Sequence, residues 1–168
     1  LLLIADEPTT ALDVSVQAQV LALFDRLRRE HSCALLLVTH DLAAAASVAD
    51  RVVVLYAGRV CESGPIGAVM QRPAHPYTAS LLAARLPLST DDPTPVPMQG
   101  MPPNPADLPS GCAFAERCHL AVDRCRTELP DSIPLGDTAG DDISRYSACL
   151  RIDDLVGRQP SVKVSNER

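Results

Sequence analysis

The stretch that most constrains this chain is its first thirteen residues, LLLIADEPTTALD. Five apolar residues, Leu1 to Ala5, run directly into Asp6 and Glu7. That pattern predicts a strand buried on both faces and ending in two adjacent carboxylates. Open α/β sheets hold ligands beyond the carboxyl ends of their strands, so such a strand delivers acid to a binding edge. Successive side chains alternate across a strand, so Asp6 and Glu7 point in different directions. One can face a metal ion while the other faces a water.

The residues that follow continue an α/β alternation. Val16, Val20, Leu23, Phe24 and Leu27 recur at spacings of three and four, which predicts an amphipathic helix from about Val14 to Glu30, with Asp13 placed to cap it. CALLLVT, from Cys33 to Thr39, predicts a second buried strand, followed at its carboxyl end by His40 and Asp41. Leu42 to Ala49 reads as a short Ala-rich helix. Arg51 to Tyr56 reads as a strand, Ala57-Gly58 as a turn and Arg59 to Glu62 as the returning strand, with Ser63-Gly64-Pro65 breaking the pattern. Short helices are expected over about Ile66 to Gln71 and Tyr77 to Arg85. His75, between Pro73 and Pro76, reads as structural.

ADEPTTALD resembles the Walker B and D-loop region of an ABC-transporter ATPase, VSVQAQV is similar to its oligopeptide/dipeptide importer branch, and HPYTASLLAA resembles the C-terminal extension of that branch. The resemblance implies an α/β fold: the downstream part of an ABC ATPase (P-loop NTPase) domain, a Pro-rich linker and a small Cys-rich module. It implies that Asp6 holds Mg2+, that Glu7 is the general base for the attacking water, that His40 in VTHD senses the γ-phosphate of ATP, and that Asp13 sits at the contact with a second ATPase subunit. The implied partners are membrane permease subunits, that second ATPase and, indirectly, an extracytoplasmic substrate-binding protein. The implied location is the cytoplasmic face of the membrane.

No G-x-x-x-x-G-K-[ST] loop and no LSGGQ-like signature occur in the 168 residues, and the chain begins at Leu1 without Met. The expectation is a downstream fragment, inactive alone, with part of its sheet uncovered. With 15 Lys+Arg against 21 Asp+Glu the formal charge is -6, which offers little to a nucleic-acid backbone. No apolar stretch reaches the roughly 18 residues needed to span a bilayer.

Composition changes after Leu86. Pro87, Pro93, Pro95, Pro97, Pro102, Pro103, Pro105 and Pro109 predict an extended linker to Ser110. The expected organisation is 1–64 as ATPase, 65–110 as extension and linker, 111–150 as Cys-rich module and 151–168 as a polar tail that frays from Asp153. Cys33 and Cys61 read as small buried hydrophobes. Cys112, Cys118, Cys125 and Cys149 are expected to converge on one site. Disulfides would need an oxidising compartment, zinc ligands more often come in tighter pairs, and a [4Fe-4S] cluster tolerates looser spacing. The segment resembles the Cys-rich end of peptide-importer ATPases, some of which carry such a cluster, although Ala113 and His119 stand where the common family form has prolines. Nickel import within the same family, or a non-catalytic metal- or cluster-binding interaction module, are the competing functional readings.

Overall fold

The computed structural model describes residues 1–84, 98–135 and 145–156, which fall into two compact units, Leu1–Asp50 and Arg51–Arg168. Arg85, Pro87, Pro93, Pro95, Pro97 and the tail beyond Val156 lie outside the described residues. From 98 to 110 the described chain forms neither helix nor strand.

In the first unit, β1 (Leu2–Asp6) and β2 (Ala34–Val38) are parallel, in a register that sets Leu2 opposite Ala34 and Asp6 opposite Val38. The connection between them is α1 (Val14–Glu30), and α2 (Leu42–Val48) follows β2. Asp13 caps α1 by accepting a 2.9 Å bond from the Val16 amide, and Asp41 caps α2 through the amides of Ala43 and Ala44. Each satisfies donors that a helix start leaves without an intrahelical partner.

Burial of β1 departs from the reading of a strand buried on both faces and agrees with the expectation of a partly uncovered sheet. Ala5 is buried, yet Leu2 and Ile4 are 56% and 62% exposed, and Leu36 and Val38 of β2 are open beside them. A strand buried on both faces needs a covering layer on each side. Alternation puts Leu2, Ile4 and Asp6 on one face of β1, and in this unit that face is open.

The second unit is built on an antiparallel sheet. β3 (Arg51–Tyr56) and β4 (Arg59–Pro65) form a hairpin turned by Ala57-Gly58, both at positive φ. Ser63, Gly64 and Pro65 do not break this strand as expected. They pair with Val53, Val52 and Arg51 and carry β4 to its end, where a missing proline N–H costs least. Helices α3 (Ile66–Gln71) and α4 (Pro76–Ala83) follow, the latter with His75 as cap and Pro76 in its first turn. Past residue 110 come a 3-10 turn (Ala115–Arg117), α5 (Asp123–Thr127), β5 (Ile133–Leu135), β6 (Arg145–Ser147) and α6 (Ile152–Val156). The sheet order is β3-β4-β6-β5, so the strand just before Cys149 is hydrogen-bonded to the hairpin. Residues 153–156 are helical rather than frayed, because Ile152 and Leu155 are buried.

The core of this unit gathers Tyr56, Cys61, Ala113 and Phe114, with Tyr77, Cys112 and Cys118 against it. Phe114 meets the Tyr56 ring edge-on at 5.2 Å and the Tyr77 ring at 5.4 Å, arrangements that aromatic quadrupoles favour. Arg59 donates to the Gly111 carbonyl at 2.9 Å and Arg117 to the Tyr56 hydroxyl at 3.1 Å, tying the cysteine-bearing segment to the hairpin.

Candidate functional site

Two groups of chemistry-bearing residues stand out, one in each unit. In the first, the ladder between β1 and β2 continues one step past Asp6, with the Glu7 amide donating to the Val38 carbonyl at 2.9 Å. Glu7 itself takes φ +45°, a left-handed conformation uncommon for a residue with a Cβ. Such outliers persist only where the surroundings hold them, and they concentrate at functional sites. Parallel pairing then sets the ends of β1 and β2 side by side. Nδ1 of His40 lies 2.9 and 3.0 Å from the two carboxylate oxygens of Glu7, and since an ionised carboxylate only accepts, Nδ1 carries the proton. The Thr10 hydroxyl donates to the same carboxylate at 2.6 Å.

These contacts fix the electrostatics. The Thr10 hydroxyl, and after it His40, hold the Glu7 carboxyl below the usual carboxylate range. Glu7 in turn raises His40 above the ordinary imidazole value, chiefly through the hydrogen bond. Both side chains remain open to solvent. An anion entering this edge would meet an imidazole held by a carboxylate that the surrounding donors keep ionised.

Of the residues singled out from sequence, Glu7 and His40 are brought together. Asp6 lies on the open face of β1, outside that pair. Asp13 is exposed and spends one oxygen on the Val16 amide and the Ser15 hydroxyl. Thr10, Gln17 and Asp41 were not anticipated. Gln17 bridges from α1 to Asp41 at 3.0 Å and Thr9 at 3.4 Å, bracing the loops behind the pair. The signal was present for Thr10, a hydroxyl three residues after an acid in a turn.

In the second unit, Cys112, Cys118, Cys125 and Cys149 line one small pocket, together with His75, Pro76, Phe114 and Arg151. All four cysteines are free. Burial raises the thiol pKa of Cys112 and Cys118 and pushes Cys149 up to about 11; it carries Cys61, just behind them, to about 12. Among the described residues no three His, Cys, Asp or Glu side chains are gathered closely enough to hold a metal ion. His75 is not available as a ligand: its Nδ1 accepts from the Tyr77 amide at 3.1 Å, its other nitrogen bonds the Ala148 backbone, and burial lowers its pKa to about 4.

Two parallel strands joined by a helix, with Glu7 and His40 just past their carboxyl ends, give the first unit the βαβ arrangement of α/β folds. The profile of the oligopeptide/dipeptide transporter C-terminal region matches residues 61–125. The chain is 48% identical over 140 residues (81% of this chain, 39% of the relative) to a probable peptide ABC transporter ATP-binding protein, y4tS, of Sinorhizobium fredii. It is 50% identical over 163 residues (92% and 46%) to a putative peptide import ATP-binding protein of Brucella melitensis. With the dipeptide transport ATP-binding protein DppD of Escherichia coli it shares 46% identity over 157 residues (94% and 46%). The chain belongs to the oligopeptide/dipeptide family of ABC-transporter ATP-binding proteins, and it spans less than half the length of these curated relatives.

Proposed function

We propose that this chain is the downstream portion of the ATP-binding subunit of an importer that takes up di- or oligopeptides. The observation that carries the reading is the seating of Glu7 and His40, 2.9 Å apart, at the ends of adjacent parallel strands. Glu7 orients and deprotonates the attacking water, and its depressed pKa keeps it ionised to do so. His40 donates from its ring to the γ-phosphate of ATP, a role served by its raised pKa. Asp6 offers hard carboxylate oxygens suited to Mg2+, which screens phosphate charge when bound. Asp13, capping α1 from an exposed position, faces the second ATPase subunit. The working assembly lies on the cytoplasmic face of the membrane with permease subunits, and a substrate-binding protein supplies it from the other side. No helix among the described residues is long and apolar enough to cross a membrane itself.

The test is made in a chain extended upstream with its own in-frame coding sequence. Glu7→Gln keeps nucleotide binding and loses about 100-fold or more in hydrolysis, the scale of a lost general base. Hydrolysis at the unaltered rate sinks the assignment.

A second reading concerns the four cysteines, and it is favoured by their lining a common pocket. Around one zinc ion, thiolates sit about 3.8 Å from one another, given Zn–S bonds of about 2.3 Å. The thiols here are not gathered round a single point. A [4Fe-4S] cluster asks instead for four thiolates, each on its own iron, and would supply the positive charge that lets buried thiols ionise. Cys112, Cys118, Cys125 and Cys149 would hold it, as a structural staple. Reconstitution with ferrous iron and sulfide under nitrogen yields a brown protein that bleaches with dithionite; a colourless product with stoichiometric zinc overturns this.

A further inference from the structure

Three of the four pocket cysteines come from one short segment, fixed by its own backbone. The Cys112 amide donates to the Cys125 carbonyl at 2.8 Å, the Ala115 amide to the Cys112 carbonyl at 3.0 Å and the Ala121 amide to the Cys118 carbonyl at 3.1 Å. Cys149 arrives separately, two residues after β6. That strand is three residues long and pairs with β4 at only Glu62↔Ser147 and Ser63↔Tyr146. A ladder so short gives little hold of its own, since each net hydrogen bond contributes about 1 kcal/mol.

β5 pairs with the other edge of β6 at three positions, and on the hairpin side the remaining hold is a buried ion pair. Glu62 is 0% exposed and Arg145 3%. Arg145 donates to Oε1 of Glu62 at 2.8 Å and also to the Arg72 carbonyl. The same carboxylate takes the Ala74 amide at 2.9 Å and the His75 amide at 3.1 Å. Ser147, fully buried, donates to the Ala74 carbonyl at 2.8 Å. Past the strand, the Ala148 amide donates to the Cys61 carbonyl at 2.8 Å and the Ala148 backbone holds the His75 ring. The bonds to the Ala74 and His75 amides fix Glu62 within the β4–α4 region, the others join β6 and Ala148 to that region, and none involves a pocket thiol.

We propose that Glu62 and Arg145 are positioning residues for Cys149, forming a latch that seats β6 and carries the fourth thiol into the pocket. The inference deepens the four-cysteine reading and depends on it for its functional meaning, though not for its first test. Breaking a buried pair leaves one charge uncompensated, so the latch closes completely or not at all. Filling the pocket and docking β6 are then one equilibrium, because whatever binds four thiols binds only the latched form. Gly64 belongs to the latch: a Cβ there would stand 2.8 Å from Cγ of Arg145 and 3.2 Å from its Cβ, so only glycine lets the arginine stem lie across β4.

The test uses the whole chain, reduced and treated with chelator, with iodoacetamide labelling followed peptide by peptide in a mass spectrometer. Arg145→Met should speed labelling of Cys149 about ten-fold while Cys112, Cys118 and Cys125 stay within about two-fold, since only local opening near β6 has become easier. If Arg145→Met instead releases all of them, Gly64→Ala decides. Selective release of Cys149 in that variant supports the latch, and release of every thiol or of none overturns it. With ferrous iron and sulfide added, both variants should retain less than about half the iron of the unaltered chain. Failure of the unaltered chain to take up iron overturns the cluster reading and leaves the labelling result to judge the latch.

Discussion

Nδ1 of His40 shares its proton between both carboxylate oxygens of Glu7, at 2.9 and 3.0 Å, across a sequence separation of 33 residues. The Glu7 pKa is lowered from 4.5 and the His40 pKa raised from 6.5, so the ion pair is complete in the window between the two. His40's contribution to stability is fully present below its unfolded value and fades as pH rises through its folded one. Glu7's is present above its unfolded value and fades as pH falls through its folded one. Followed by NMR, His40 should titrate above 6.5 and return toward that value in Glu7→Gln. Thr10→Val and His40→Ala should each raise the Glu7 pKa, because each removes a hydrogen bond that holds it down.

Asp13 and Asp41 each hold a helix start through backbone amides. Asp13→Ala and Asp41→Ala should each cost about 1 kcal/mol in urea unfolding, the usual cost of losing such a cap. Asp41→Ala should cost the more, because its carboxylate also takes the Gln17 amide. Asp41→Asn, which keeps a capping oxygen, should recover most of the loss.

Phe114 is 1% exposed and packs against three rings. Phe114→Ala should destabilise the second unit by about 3–5 kcal/mol, the range for emptying an aromatic site. Circular dichroism during thermal unfolding would register this as a lowered Tm.

Gly111 sits where a Cβ would come within 2.5 Å of the Cys125 carbonyl oxygen and the Arg126 carbonyl carbon. Backbone cannot swing aside as a side chain can. Gly111→Ala should therefore cost about 1–3 kcal/mol or more and loosen the bond between Cys112 and Cys125. Faster amide exchange at Cys112 than at Val69, remote in α3, would mark that loosening.

The elements with a long hydrophobic period were legible. The spacing of Val16, Val20, Leu23 and Leu27 gives α1 its observed bounds, Val14–Glu30, and the apolar run after Asp50 gives β3. Glu7 and His40 were legible because each ends an apolar run, and parallel pairing of those runs is what joins them. β5 and β6 were not, since three residues cannot display a period of two. Gly64-Pro65 resembled punctuation, while the glycine in fact makes room for an arginine stem. The apolar run of β1 suggested burial on both faces, and the open face followed instead from the expectation of a partly uncovered sheet. An apolar run states what a strand can bury, and whether a layer covers it depends on tertiary arrangement.

The pairing of Glu62 with Arg145 spans 83 residues, and it imposes an order on synthesis. While a ribosome is still adding the residues before Arg145, the nascent hairpin has its acid without the arginine, and the β4 edge that receives β6 is open to any other strand. Most of the second unit has then been made and cannot yet close. The pair forms only once Arg145 has been made, so a product stalled or truncated before it is left with a buried-type carboxylate in water and an unguarded strand edge, the features that quality-control proteases and aggregation both exploit.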